Sequence, residues 1–107
     1  FSRDYSDTAG GVRFSVSAFS FEDRVYASLE LKAVQGKKVY GGNYSVLLEC
    51  IDNEGNVYDK YETATAYSEG MESLHWICGD YDSRNIRATV SWADGESRVL
   101  VCGITHK

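Results

Sequence analysis

The chain has 107 residues, of which 43% are apolar, 13% aromatic and 25% charged, so it reads as one globular domain and not as a disordered segment. Eleven basic residues against sixteen acidic ones leave a formal charge of −5, which argues against nucleic acid or an anionic membrane surface as partner. No apolar run approaches the ~20 residues that cross a bilayer, so membrane insertion is not expected.

Residues 1–11 are polar and end in Gly10 and Gly11, and they read as a flexible leader before a single domain at 12–107. The chain opens at Phe1 and its one methionine is Met71, which predicts a processed product or an excised fragment. From Val12 onward the dominant period is two, the mark of half-buried strands. Val12, Phe14, Val16 and Ala18 alternate with Arg13, Ser15 and Ser17. In the second segment Val25, Ala27, Leu29, Leu31 and Ala33 share one face, and Arg24, Tyr26, Ser28, Glu30 and Lys32 share the other. A helix with that order would spread its apolar residues all round, so the segment is a strand. Tyr44, Val46, Leu48 and Cys50 carry a third strand, and residues 57–64 a fourth, polar enough to be an edge. Leu74, Trp76 and Cys78 mark a fifth, Ile86, Ala88, Val90 and Trp92 a sixth, and residues 98–105 a nearly all-apolar seventh. Asn, Asp and Gly at 52–56 and 94–95 supply the left-handed backbone that tight hairpins use, and Phe21, Glu22 and Asp23 link the first two strands.

Seven short strands in about 100 residues point to an all-β fold, a seven-stranded antiparallel β-sandwich of immunoglobulin-like type. The antibody-type cysteine pair on the second and sixth strands is missing, since the cysteines fall on the third, fifth and seventh. Residues 46–58, followed by the glycine-marked turn at 68–70 and the strand at Leu74, resemble small immunoglobulin-like modules of secreted bacterial proteins. The resemblance covers about half of the chain and rests on hairpin chemistry. It implies a noncatalytic surface module and carries no functional residue over.

Few constellations carry chemistry. Asp80, Asp82 and Asn85, and separately Asp52, Asn53, Glu54 and Asn56, supply oxygen-rich loops, but neither has the spacing of a calcium-binding helix-loop-helix, and turns favour the same residues for their own hydrogen bonds. No metal or other cofactor is expected. The only histidines are His75 and His106, and the odd separation of His75 from Cys78 puts them on opposite faces of one strand, out of reach for a nucleophile–base pair. Known nucleophile, phosphate-loop and dinucleotide motifs are missing, so the chain reads as no enzyme.

The tyrosines are the most informative feature, eight against four phenylalanines. Exposed tyrosine offers a large rigid contact area with a polar tip, although strand propensity alone also favours it. Tyr26 and Tyr58 on sheet faces, and Tyr40, Tyr67 and Tyr81 in connections, are the candidate binding residues for a protein or carbohydrate ligand. Parity buries Cys50 and Cys78 in facing sheets at one pole of the sandwich. The expected pairing is therefore a Cys50–Cys78 disulfide with Cys102 left as a thiol outside the bridge. This makes the protein secreted or cell-surface. The expected function is a noncatalytic binding module; the alternative is a secreted effector, toxin or hydrolase inhibitor working through the loops at 35–43 or 65–73.

Overall fold

All of the period-two segments become strands. The computed structural model describes residues 5–9, 11–66, 71–79, 83–92 and 95–106. Its strands are β1 (Tyr5–Ala9), β2 (Val12–Phe21), β3 (Arg24–Ala33), β4 (Asn43–Ile51), β5 (Val57–Ala66), β6 (Met71–Gly79), β7 (Asn85–Trp92), β8 (Glu96–Gly103) and β9 (Thr105–His106). They form two sheets. Sheet A has the order β1-β2-β3-β6 with β9 beside β2, and sheet B has the order β5-β4-β7-β8. Every pairing is antiparallel except β2 with β9. No helix among the described residues is long and apolar enough to cross a membrane.

The seven expected strands are β2 to β8, and the polar fourth, now β5, is an edge of sheet B as its composition suggests. Two differences concern sheet A. Within the stretch read as a leader, Tyr5–Ala9 pairs with residues 12–16 of β2, while β9 takes up Phe19 and Ser20 further along the same strand. A backbone ladder needs no apolar alternation, so composition gave no sign of either strand. The first predicted strand also runs on past Ala18 to Phe21, because the turn into β3 consists of Glu22 and Asp23 alone. Both have positive φ, 51° and 62°, which is a type I′ hairpin made without glycine.

The core fills the space between the inward faces. Val12, Phe14, Val16, Val25, Leu29 and Leu31 come from sheet A, and Tyr44, Val46, Leu48, Ile86, Val90 and Leu100 from sheet B. Phe14, Tyr44 and Trp92 form an aromatic cluster with ring centroids 5.9 to 6.1 Å apart. The Arg98 guanidinium lies 5.7 Å over the Trp92 ring. Burying one such ring contributes about 2–3 kcal/mol, which makes this cluster a main hydrophobic anchor between the sheets. Burial also raises the Tyr44 phenol above its ordinary pKa, and its hydroxyl donates to the Tyr40 carbonyl at 3.4 Å.

β4, β6 and β8 run in the same direction, so Cys50, Cys78 and Cys102 gather at the pole of the Glu22–Asp23 turn, all three buried. The predicted Cys50–Cys78 disulfide is not formed. β6 is the edge of sheet A and not a central strand, and it meets β5 instead of lying squarely over β4. The two cysteines come near each other without bonding. The cysteines act here as small core hydrophobes.

Candidate functional site

The structure distributes the candidate tyrosines instead of clustering them. Tyr40 is half-buried, its ring edge-on to Tyr44 at 5.6 Å, where it pins the 34–42 connection to the core. Tyr58 is exposed, but its hydroxyl donates to Asp52 Oδ2 at 3.3 Å within the β4–β5 hairpin. Tyr67 and Tyr81 lie outside the described residues, as do Asp80 and Asp82. Of the three described, Tyr26 alone joins a larger surface.

That surface is the outer face of sheet A near the Glu22–Asp23 turn. The β2–β3 register sets Phe19 directly opposite Tyr26, and the β3–β6 register sets Tyr26 opposite Ile77. The Phe19 and Tyr26 rings stack at 5.1 Å with an interplanar angle of 16°. Ile77 is 56% exposed and Phe21, on the same parity as Phe19, is 47% exposed. Three strands therefore carry one row of large side chains, in which Ile77 stands in water and the stacked Phe19 and Tyr26 are half-buried. The next row is polar: Ser17 and Ser28 lie opposite each other, their hydroxyls 3.2 Å apart, and His75 follows on β6. Between β3 and β6 these residues line a shallow groove of about 300 Å3 bounded by Tyr26, His75 and Ile77.

A row of large apolar side chains left partly in water on a small domain marks an interaction surface more often than a packing accident. Aromatic rings give a partner dispersion contact, while the Tyr26 phenol, Ser28 and His75 offer hydrogen-bonding groups at its margin. His75 faces solvent and Cys78 faces the core, so the two stand on opposite sides of β6. Asp52 is committed to its own hairpin: Oδ1 accepts from the backbone of Glu54 and Asn56 at 2.8 and 2.9 Å, and Oδ2 from Asn56 Nδ2 at 2.8 Å. The side-chain bond from Asn56, with help from those backbone donors and Tyr58, holds the Asp52 carboxyl below its ordinary pKa.

Sequence reasoning missed Phe19 and Ile77. The signal for Phe19 was present, because Phe19 and Tyr26 are equally distant from a two-residue turn at 22–23 and must therefore face each other across the hairpin. Ile77 required the β3–β6 register, which no local pattern contains. Trp76, on the inward parity of the fifth predicted strand, is half-buried and stacks on Tyr61 of β5 at 6.3 Å, closing the side of the sandwich where β5 and β6 meet. No family model, curated protein sequence or solved structure matches the chain.

Proposed function

We propose that the protein is a noncatalytic, immunoglobulin-like binding module of a secreted or cell-surface protein, and that it contacts a protein or glycan ligand through the outer face of sheet A. The observation that carries this reading is the stacked Phe19–Tyr26 pair continued by exposed Ile77 across three strands. The strand order supports the immunoglobulin-like part. Taken as strands A to G in chain order, β2, β3 and β6 form A-B-E and β4, β7 and β8 form C-F-G, with β5 on the C edge. Sandwiches of this kind serve as rigid scaffolds, and their function resides in the surfaces they display.

A glycan array together with a pull-down from the native milieu tests this, run in parallel on the wild type, Tyr26→Ala, Ile77→Ala and alanine substitutions at Lys37 and Lys38. The expected result is a retained ligand that is lost in the Tyr26 and Ile77 variants and kept by the lysine variants. Loss confined to the lysine variants points to the effector or inhibitor reading, in which the Tyr40-anchored loop at 34–42 makes the contact. Silence in both assays alongside turnover of any substrate refutes the binding module.

A further inference from the structure

The two edges of sheet B are finished differently. β5 carries the features that discourage edge pairing. Its register with β4 shifts between Cys50 and Ile51, Asp59 turns a half-buried carboxylate inward, and Lys60 and Glu62 place an ion pair of 3.5 Å on the outer side. β8 at the opposite edge shares one of these features, with Arg98 turned inward over the Trp92 ring, but its register does not shift. Its ladder with β7 runs unbroken from Glu96 to Gly103, without lysine or proline. The outward side chains Val99 and Val101 are 52% and 40% exposed. β1 and β2 of sheet A pack against β8, yet neither joins its ladder, and among the described residues β7 is its only neighbour in the sheet order.

We propose that β8 pairs antiparallel with β8 of a second copy of this chain, giving a two-fold dimer in which the two four-stranded B sheets become one. The strand is self-complementary, as a two-fold interface demands. An axis through Leu100 sets Val99 opposite the partner's Val101, so both cross-strand pairs on the outer face are β-branched pairs of the kind that stabilise sheets. The same register sets Arg98 opposite the partner's Cys102 and Ser97 opposite the partner's Gly103, so no charge meets a like charge. For a chain of net charge −5 this matters, because residues 99–103 form a neutral stretch along which two copies approach without repulsion. An unrelated extended peptide would gain the same backbone hydrogen bonds but not the valine pairing, which favours the second copy. The proposal does not depend on the binding face of sheet A.

Light scattering or sedimentation over a dilution series tests it on the full chain. The wild-type mass is expected to double with rising concentration, while amide exchange at Val99 and Val101 slows. Val99→Lys and Val101→Lys change exposed side chains, keep the far-ultraviolet circular dichroism of the wild type, and should each weaken the dimer by about tenfold or more. Ile77→Lys on the other sheet should leave it unchanged. A wild type that stays monomeric at every concentration overturns the proposal. So does a dimer that survives both lysine substitutions, or one that Ile77→Lys abolishes.

Discussion

On the outer face of sheet B the polar side chains satisfy one another. Glu49, only 9% exposed, accepts from Arg87 Nε at 2.8 Å, and that hydrogen bond raises the Arg87 pKa still further above its ordinary value. Lys60 pairs with Glu62, and in the β4–β5 hairpin Asp52 gathers four donors. The described part of the β7–β8 turn has glycine where the backbone is left-handed, at Gly95 with φ of 86°. Sheet A differs in its turn and in its stacked outer-face aromatics, while both sheets expose apolar side chains, Val99 and Val101 on sheet B and Ile77 on sheet A. Its β2–β3 turn forces Glu22 and Asp23 into left-handed backbone, and its outer face sets the half-buried Phe19–Tyr26 stack beside exposed Ile77. Strained backbone and unburied aromatic area both cost stability and tend to collect where a protein meets its partner. We therefore propose sheet B as the scaffold and sheet A as the working face.

Substitutions on the two sheets should therefore fail in different ways. The largest stability effect is expected on sheet B from Arg87→Ala, which leaves Glu49 without its charged donor on a largely buried site. It should cost about 2 kcal/mol in chemical denaturation. Gly95→Val comes next, at about 1–2 kcal/mol from steric strain at a left-handed position. The matching change on sheet A has the opposite sign. Glu22→Asn combined with Asp23→Gly gives the turn residues that tolerate positive φ, and should stabilise by about 1 kcal/mol. A destabilised double variant would show that those side chains hold the turn in some other way. The smallest effect depends on pH. Asp52 has its folded pKa depressed, so the stability it contributes is complete above the ordinary carboxylate range and lost as pH falls through the depressed value. Asp52→Asn should flatten that acid limb by lowering stability in the neutral region while leaving the most acid end nearly unchanged.

What the sequence revealed follows the same division. Sheet B and the core strands of sheet A were legible because their burial is one-sided, and one-sided burial writes itself as strict alternation, as from Tyr44 to Cys50 and from Val25 to Leu31. β1 and β9 were not legible, since they are held by backbone pairing along one edge of β2 and need no apolar pattern. Of the site, Tyr26 was found from its place on the polar face of its strand. Tyr40 and Tyr58 looked equivalent in sequence, yet one ring packs on Tyr44 and the other hydroxyl on Asp52, contacts made only once the chain is folded. The cysteines show the same limit. Parity correctly turned Cys50 and Cys78 inward, but the place of β6 at a sheet edge is a matter of topology.

The division into scaffold and working face is tested most directly by measuring stability and ligand retention together on one pair of variants, Tyr26→Ala and Arg87→Ala. Tyr26→Ala should lose the ligand captured by the wild type while its denaturation midpoint moves little. Arg87→Ala should lower the midpoint and, under conditions where it remains folded, keep the ligand. A Tyr26→Ala protein that binds as the wild type does, or a folded Arg87→Ala protein that does not bind, would contradict the assignment of function to the outer face of sheet A.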